Sequence, residues 1–492
     1  MNHSLKLSDR RILLVFVDLL LILVTTLFGL WIRTLGLESL TFNLAHIIDQ
    51  SGWLVLLSLL WLFSAFINGL YDPIKSGTMI EIMFQLLRAG TLVMVVYLLI
   101  FFYAAPAIIL PRGVVVYQII TGFILISGWR MIYFLVFGRP RFTRKILIIG
   151  AGWAGQTISK AILETASNQY QILGFIDDEE SIIGKKINID LNRDHVSLDK
   201  EDHQNQPQIK MSEKVQVLGT SNDMLNLVKD KSIPEVILAI THDISTSVFR
   251  SLMDCKELGV EITLMTDLYE EITGRVPVEH IGDNWFVSLP MDSAESSVFY
   301  SFASRTFDIT SALLGLIILL PLLPFISLAI YLDSPGPIFY KQRRVGKGGI
   351  EFDLYKLRTM IPDAEIDGQA QRALEKDPRI TGVGRWLRRF RLDEMPQLYN
   401  ILKGDMSAVG PRPERPSHLV ELDANVPFHR LRNAVKPGMA GWAVVNFGYI
   451  DDLESANVRL QYDLYYVKHQ SLILDLTILL RTFGQVFLLR GR

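Results

Sequence analysis

Hydrophobic residues dominate the first 140 positions of the chain in four long runs. The runs cover residues 12–32, 52–71, 86–105 and 114–137, and polar residues separate them. Each run is close to the roughly 20 residues that an α-helix needs to cross a bilayer. No small-residue cleavage site follows the first run, as a signal peptide would require. The pattern therefore predicts a bundle of four transmembrane helices at residues 1–140.

The lysine and arginine residues of this region predict its orientation. They precede the first run, separate the second from the third and follow the fourth, whereas the opposite loops hold only Arg33 and Arg112. The positive-inside rule then places the N-terminus and everything after residue 140 in the cytoplasm. Inside the runs, Arg130 is expected to extend to the cytoplasmic interface. For Asp18 the sequence leaves open a pair within the bundle or a position near the interface.

Residues 141–295 alternate short apolar runs with helical stretches, which is typical of a parallel α/β sheet. A strand at 145–149 runs into Gly150, Gly152 and Gly155, and a second strand ends at Asp177. In Rossmann-type folds such glycines admit a phosphate at a helix N-terminus, and the acid binds a ribose. The same turn also occurs without a ligand, so nucleotide binding and a structural or regulatory role both stay open.

Further strands are predicted in this region at 215–218, 235–240 and 260–265. Residues 184–214 are rich in polar side chains and poor in apolar ones. Such a composition predicts an exposed, mobile insertion.

A fifth apolar run covers residues 307–332 and carries Pro321 and Pro324 at its centre. Proline removes a helix hydrogen bond and kinks the helix. The run could span the bilayer, or it could break at the prolines and return to the same face. The central prolines favour the re-entrant form.

The segment between residues 391 and 414 holds the most candidate catalytic side chains. Asp393 and Glu394 precede a helix predicted at 396–402, and Arg412 stands between two prolines. The acids could merely cap this helix. Against that, many cations surround them in the sequence: Lys356, Arg358, Arg388, Arg389 and Arg412. This set suits an anionic substrate with at least two phosphates, with Mg²⁺ bridging phosphate and carboxylate.

The remaining composition narrows the class of protein. The net charge of −2 offers no electrostatic argument for nucleic acid binding. The single cysteine, Cys255, excludes an internal disulfide and fits a reducing compartment.

Six blocks across residues 305–492 closely resemble the monotopic phosphoglycosyl transferases, which make polyprenol-linked diphosphosugars. The blocks are residues 334–343, 355–360, 392–398, 404–413, 437–442 and 462–468, and they run in family order. The helical bundle and Rossmann-like region resemble the N-terminal half of the family's long form. The resemblance implies a transmembrane α-helical bundle at 1–140 and a Rossmann-like α/β domain at 141–295. An α/β catalytic domain at 300–492 would be anchored by a re-entrant helix at 307–332.

The resemblance also implies a reaction. Hexose-1-phosphate would pass from a UDP-sugar to undecaprenyl phosphate with release of UMP, as the first membrane step of exopolysaccharide, capsule or O-antigen synthesis. Asp393 would be the nucleophile that carries the phosphosugar, and Glu394 would assist with Mg²⁺ or proton handling. Arg412, Lys356 and Arg388 would bind phosphate, and Arg358 belongs to the same cationic set. The resemblance to the long form suggests UDP-glucose or UDP-galactose rather than an N-acetylated donor.

The long form further implies a homodimer in the bacterial inner membrane, with its catalytic domain on the cytoplasmic face and downstream glycosyltransferases as partners. Some positions depart from the family pattern. Leu323 precedes Pro324 where a serine is frequent, and Arg391 replaces a small hydroxyl residue. Ala440 and Val444 replace a frequent threonine and glutamine, which leaves donor specificity open.

Two other functions remain open at this point. A membrane-bound NAD-dependent nucleotide-sugar dehydratase would need a second glycine-rich domain with a Tyr-x-x-x-Lys pair, and the C-terminal third has no such glycine turn. A non-catalytic scaffold for polysaccharide assembly would need no intact acid pair.

Overall fold

The computed structural model describes residues 7–35, 48, 50–71, 79–103, 112–137, 143–191, 211–241, 244–278, 298–362, 364, 377–447 and 453–487. The chain divides into two compact units. The first comprises residues 1–193, 209–240 and 244–265, and the second comprises residues 194–208, 241–243 and 266–492.

The first unit begins with four apolar helices at the predicted positions. They are α1 (Leu7–Leu35), α2 (Ser51–Ile67), α3 (Met79–Tyr103) and α4 (Arg112–Phe137). In α1, α3 and α4 the apolar stretch is long enough to cross a membrane, whereas the stretch in α2, Ser51–Phe66, is shorter. Trp61 is buried in the core of the bundle, and its indole ring lies beside Gly90 and Gly122.

The two charged residues inside the bundle form a buried ion pair. Arg130 Nη2 lies 2.6 Å from Asp18 Oδ2, and neither side chain reaches the surface. The guanidinium group also lies over the Tyr71 ring. The expectation that Arg130 extends to the interface is therefore wrong, because an unpaired Asp18 inside the bundle would be far more costly than a paired one.

A six-stranded sheet with the order β3-β4-β2-β1-β5-β6 follows the bundle. The strands are β1 (Arg144–Ile149), β2 (Tyr170–Ile176), β3 (Lys186–Leu191), β4 (Met211–Gly219), β5 (Glu235–Leu238) and β6 (Glu261–Leu264). Helices α5 (Trp153–Thr165), α6 (Met224–Lys231) and α7 (Thr246–Glu257) connect them. The predicted strands are confirmed, and β4, β2, β1, β5 and β6 pair in parallel.

The prediction of an exposed polar insertion at 184–214 is only partly correct. Both of its ends are strands, because β3 pairs antiparallel with β4 and makes the sheet mixed. Ile187 and Ile189 alternate with polar residues, and Ile189 is buried. The high polar content of the segment hides this two-residue period. Residues 192–210 lie outside the described part of the chain.

The second unit is built around one long helix and two small sheets. Its elements are α8 (Met265–Thr273), α9 (Val298–Asp333), β7 (Phe339–Val345), β8 (Glu351–Leu357), α10 (Gly382–Arg389), α11 (Gln397–Lys403), β9 (Ser407–Val409), α12 (Pro416–Asn425), β10 (Gly438–Ala440), α13 (Trp442–Asn446), α14 (Leu453–Lys468) and α15 (Leu472–Phe487). Strands β7 and β8 form an antiparallel hairpin, whereas β9 and β10 are parallel. Ala312 of α9, Ile401 of α11, Tyr466 of α14 and Ile478 of α15 share its main core.

Helix α9 is long and apolar enough to cross a membrane. It begins nine residues before the predicted run and continues through Pro321 and Pro324, so the predicted break is not seen. The fixed φ of proline is compatible with a helix, so each proline removes one backbone hydrogen bond but does not end the helix. One face of α9 packs on the second unit, and the other exposes large apolar side chains such as Phe302, Ile317 and Phe325.

Residues 266–278 form a strap on the second unit. Glu270 is buried and binds Lys468 Nζ at 2.9 Å, and Nε2 of His469 lies 2.7 Å from its other oxygen. Trp442 Nε1 donates to the carbonyl oxygen of Gly274 at 2.9 Å, and Val276 is fully buried. The Rossmann-like region thus ends near residue 265 rather than the expected 295, and the second unit begins well before residue 300.

Candidate active site

Asp393 and Glu394 lie in a short 3-10 turn, Leu392–Glu394, between α10 and α11. Arg391 precedes the turn with a left-handed backbone, φ 53°, which is uncommon for a residue other than glycine. Both acids are 8% exposed. In the described residues, neither carboxylate caps the turn or α11. The capping interpretation therefore does not account for them.

The Glu394 carboxylate is held by cations from separate elements. Its Oε1 atom accepts hydrogen bonds from Lys356 Nζ at 2.9 Å and from Arg412 Nη2 at 2.8 Å. Arg391 Nη1 lies 3.9 Å from the other oxygen, Oε2. Strand β8 supplies Lys356, and the loop after β9 supplies Arg412. The predicted association of the acid pair with these two cations is seen in the structure.

Asp393 differs sharply from its neighbour. Across the part of the chain that the structure describes, its carboxylate makes no hydrogen bond and no ion pair. It nevertheless lies in the electrostatic field of Lys356, Arg388 and Arg412. Asp393 is thus a buried carboxylate whose lone pairs are open to a substrate.

The surroundings drive the pKa values of the two acids apart. Burial and then the charge of Glu394 raise the pKa of Asp393 to about 6, against the opposing influence of the nearby cations. Burial also acts to raise the pKa of Glu394, but Arg412 and Lys356 outweigh it and hold that pKa well below its usual range. Glu394 is therefore ionised at neutral pH, and Asp393 is the member that titrates. Such a division is typical of sites where two carboxyl groups have different tasks.

The loop that carries Arg412 is tied down along its backbone. The carbonyl groups of residues 411–414 each accept a hydrogen bond, in order from Gly438 N, Arg432 Nη2, Arg344 Nη1 and Val345 N, at 2.8–3.0 Å. The Arg412 side chain therefore extends from a rigid support. Rigidity of this kind preorganises a guanidinium group for a phosphate.

A buried ionic network lies under this loop, and the sequence analysis did not identify it. Arg432 pairs with Asp463 at 2.7 Å and with Glu414 at 3.2 Å, and Arg459 pairs with Glu414 at 2.8 Å. Although burial acts to raise the pKa of Glu414, Arg459 and Arg432 hold it well below its usual range. The available signal was the position of Glu414 and Asp463 beside and within matched sequence blocks.

The remaining predicted cations fall in different places. Arg388 donates from Nε to Thr359 Oγ1 at 2.9 Å, and burial lowers its pKa while Asp393 opposes that change. Arg358 instead donates to the carbonyl groups of Ser334 and Pro335 at the end of α9. The expectation that Arg358 shares the acid pair's site with Lys356 is wrong, because β8 ends at Leu357 and the alternation ends with it.

The glycine turn of the first unit is largely explained by packing. Gly150 has φ +97°, and a Cβ atom on Gly155 would lie 2.0 Å from the Gly150 carbonyl oxygen. Asp177 accepts backbone hydrogen bonds from Ala151 at 2.8 Å and Glu179 at 3.0 Å. These contacts favour the structural reading. Of the three glycines in this turn, only Gly152 has open space where a side chain would stand, and nucleotide binding there stays a prediction.

The acid pair offers a partial set of magnesium ligands. The described residues contain no cluster of three or more His, Cys, Asp or Glu side chains suited to a metal. Within the described residues, the oxygens without a hydrogen bond are both of Asp393 and Oε2 of Glu394, which has Arg391 at 3.9 Å, since Lys356 and Arg412 occupy Oε1. Mg²⁺ commonly binds through one or two carboxylates together with substrate phosphates. The residues therefore fit a Mg²⁺ ion shared with a diphosphate, but not a site made by protein alone.

Comparison with known proteins gives two family matches. Residues 299–489 match the family described as bacterial sugar transferase, and residues 66–266 match the family described as CoA-binding domain. The second match ends where the structure begins its second unit. The strap at 266–278 thus lies between the two matched regions.

Three curated relatives illustrate the similarity. The UDP-N-acetylgalactosamine-undecaprenyl-phosphate N-acetylgalactosaminephosphotransferase of Aeromonas hydrophila is 38% identical over 237 residues, which are 48% of this chain and 55% of that protein. The UDP-glucose:undecaprenyl-phosphate glucose-1-phosphate transferase of Xanthomonas campestris pv. campestris is 32% identical over 271 residues, 55% of this chain and 56% of that protein. A putative undecaprenyl-phosphate N-acetylgalactosaminyl 1-phosphate transferase of Bacillus subtilis (strain 168) is 44% identical over 170 residues, 35% of this chain and 83% of that protein. The chain spans little more than half the length of the first two relatives.

Proposed function

The chain belongs to the bacterial sugar transferase family, and we propose that it transfers a hexose-1-phosphate from a UDP-sugar to undecaprenyl phosphate. The observation that carries this proposal is the contrast inside the acid pair. Glu394 is held by Lys356 and Arg412, whereas the adjacent Asp393 carboxylate has open oxygens. A buried, unpaired carboxylate among cations is suited to attack a phosphate.

The proposed reaction has two displacement steps at one phosphorus atom. A carboxylate oxygen of Asp393 attacks the β-phosphorus of the UDP-sugar, the bond from that phosphorus to the bridging oxygen breaks, and UMP leaves with the oxygen. This step leaves the sugar phosphate on Asp393 as an acyl phosphate. A phosphate oxygen of undecaprenyl phosphate then attacks the same phosphorus, and the bond to Asp393 breaks to restore the carboxylate. The lipid product is a polyprenyl diphosphosugar.

The cations around the pair stabilise the charge that moves during these steps. Arg412 and Arg388 can bind phosphate oxygens, and Arg412 has guanidinium donors beyond the one that binds Glu394. Lys356 and Arg412 keep Glu394 ionised and bind its Oε1 atom, so Glu394 is less available than Asp393 as a nucleophile. When bound, Mg²⁺ would neutralise part of the diphosphate charge.

The contacts of α9 support a re-entrant placement on one face of a membrane. Near its start, Arg305 binds the carbonyl groups of Ile401 and Leu402. At its end, Asp333 accepts a hydrogen bond from the backbone of Val383 at 2.7 Å. Both ends therefore contact the same folded unit, and this supports the proposal that both ends lie on one side of the bilayer. This arrangement would hold the acid pair at the cytoplasmic surface, where a soluble donor and a lipid phosphate can both reach it.

The identity of the sugar is a separate part of the proposal. The names of the relatives include both a glucose and N-acetylgalactosamine donors. UDP-glucose and UDP-galactose remain the expected donors, and UDP-N-acetylgalactosamine must be compared with them. Ala440 and Val444, which depart from the family pattern, are buried. Neither family match supports the dehydratase alternative. The scaffold alternative differs from the proposed transferase because it predicts that Asp393 is dispensable.

The test measures UMP release by the full chain with undecaprenyl phosphate and each UDP-sugar. We expect Asp393→Asn to lower the rate by at least about a thousandfold, because the amide is a poor nucleophile. The matched control is Asp405→Asn, whose carboxylate pairs with Lys403 at the opposite end of α11. We expect it to stay within about threefold of the wild type.

Two further arms make this test specific. Without the lipid acceptor, the wild type should gain the mass of a hexose phosphate on Asp393, and Asp393→Asn should not. Chelation by EDTA should stop turnover, and Mg²⁺ should restore it. UMP release that Asp393→Asn retains would overturn the proposed nucleophile, and full activity in EDTA would overturn the metal requirement.

A further inference from the structure

The strongest unexplained feature near the site is a pair of charged residues in the otherwise apolar helix α9. Arg305 and Asp308 lie one turn apart, and Asp308 is 3% exposed. An ionisable residue in a membrane-like helix is costly unless it is paired, so its presence calls for a function. Both side chains point to the folded part of the second unit, and their partners are backbone groups and a serine hydroxyl.

Arg305 holds the end of the helix that follows the acid pair. Its Nη1 and Nη2 atoms donate to the carbonyl oxygens of Ile401 and Leu402 at 2.7 and 2.8 Å. These carbonyl groups belong to the last turn of α11, where Ile401 also accepts a hydrogen bond from the Gly404 backbone and side-chain donors can reach the remaining acceptors. The position of α11 therefore depends on Arg305, and α11 begins three residues after Glu394.

Asp308 holds the strand that precedes Arg412. Its Oδ1 atom accepts hydrogen bonds from Ser407 Oγ at 2.9 Å and from the Ala408 backbone at 2.7 Å. These residues form β9, which leads directly into the loop of Arg412. Asp308 therefore sets the position of the second half of the site.

The packing of α9 against α11 is correspondingly close. A Cβ atom on Gly315 would lie 2.6 Å from Leu398 Cδ1, so no larger residue fits there without movement. Ala312 is fully buried in the same contact. One face of α9 thus contacts both α11 and β9, whereas its opposite face is apolar and exposed.

We propose that Arg305 and Asp308 are positioning residues that set the distance between the acid pair and Arg412. This inference rests on the proposed function. The 2.8 Å contact between Glu394 and Arg412 requires α11 and β9 to keep a fixed relation, and the first part of α9 holds both. The exposed apolar face that would contact the membrane also belongs to α9. The same helix would therefore set both the position of the protein in the bilayer and the distance between the acid pair and Arg412.

The test compares kinetic constants of single variants of the full chain in membranes. Asp308→Ala removes the acceptor for Ser407 and Ala408, and we expect kcat for UMP release to fall 10- to 100-fold. A displacement of about 1 Å can cost about 10²-fold in rate. KM for the UDP-sugar should stay within about threefold, because no substrate contact is removed. Asp308→Asn keeps an acceptor oxygen at the same place and should retain at least half of wild-type kcat.

Thr310→Ala is the matched control. Thr310 lies on the exposed face of the same helix and donates only to the Thr306 carbonyl group. It should behave as the wild type. The folded fraction of each variant is measured by thermal unfolding, and rates are divided by the amount of folded protein. A lower yield of folded protein is then not mistaken for a lower kcat. If Asp308→Ala does not fold, Arg305→Ala decides the question with the same expected split between kcat and KM.

The outcomes separate this inference from the function on which it rests. Wild-type kcat in Asp308→Ala or Arg305→Ala, or an equal loss in Asp308→Ala and Asp308→Asn, overturns the positioning role and leaves the function intact. Absence of UMP release by the wild type overturns the proposed function itself, and turnover by Asp393→Asn overturns only the proposed nucleophile.

Discussion

At the scale of single residues, the acid pair illustrates how neighbours assign roles to two similar side chains. Glu394 and Asp393 are adjacent and equally exposed, yet only Glu394 is paired with Lys356 and Arg412. The same cations reach Asp393 only through their field, so its pKa is raised by burial and by Glu394. The proposed nucleophile, Asp393, is thus distinguished from Glu394 because its carboxylate has no paired cation among the described residues.

This difference predicts the pH dependence of the first step. The reacting form of Asp393 is the carboxylate, and burial together with Glu394 raises its pKa to about 6. The rate of UMP release in a single turnover should therefore be constant above about pH 7. It should fall about tenfold per pH unit below 6. A profile that stays flat down to pH 4 would contradict this assignment.

The raised pKa also predicts a stability effect. The folded state binds the Asp393 proton more tightly than the unfolded state, whose pKa is near 3.8. The resulting stabilisation is complete below that value and is lost as pH rises through about 6. Asp393→Asn removes the ionisation cost, so at pH 8 it should stabilise the protein by up to about 3 kcal/mol. Thermal unfolding should give a higher midpoint for the variant at pH 8 and nearly equal midpoints below about pH 3.

At the scale of elements, the loop of Arg412 is positioned by parts of the chain far from it in sequence. Trp442 follows β10, which pairs with β9, and its indole donates to Gly274 of the strap. It also stacks on Tyr465. The strap therefore supports the small sheet from which the Arg412 loop extends.

Replacement of the indole tests this support. Trp442→Phe keeps an aromatic ring against Tyr465 but loses the hydrogen bond to the Gly274 carbonyl group. We expect destabilisation of about 1–2 kcal/mol. Trp386→Phe, at a position that is 55% exposed on α10, should change stability less. Equal midpoints of thermal unfolding for the two variants would argue against a supporting role of the strap.

At the scale of the whole molecule, the proposed re-entrant placement of α9 predicts that both of its ends lie on the cytoplasmic side of the membrane. Cys255 is the single cysteine and is replaced by serine to give a background without thiols. In that background, Ser301→Cys and Ser334→Cys mark the two ends of α9. Both should react with a membrane-impermeant maleimide in inside-out vesicles, because both ends contact one folded unit. Reaction of only one of them would indicate a helix that spans the bilayer.

Much of the architecture follows from local patterns. The apolar runs predicted the four helices, and the alternation of apolar and helical stretches predicted five strands of the sheet. The pattern failed for β3, because its apolar residues are few and its partner β4 lies beyond residues 192–210. It also placed Arg358 with Lys356, since strand periodicity does not reveal where a strand ends.

The sequence alone determined the apolar helices, the candidate acid pair and the family, since these depend on residue order: long apolar runs, adjacent acids, and blocks in a fixed succession. Only the tertiary structure decided which charges meet. Distance in the folded chain brings together the ion pairs Asp18–Arg130 and Arg432–Asp463. Burial and neighbouring charges likewise give Asp393 and Glu394 opposite pKa shifts. Coulomb energy and desolvation depend on position in space, and residue order does not specify that position directly.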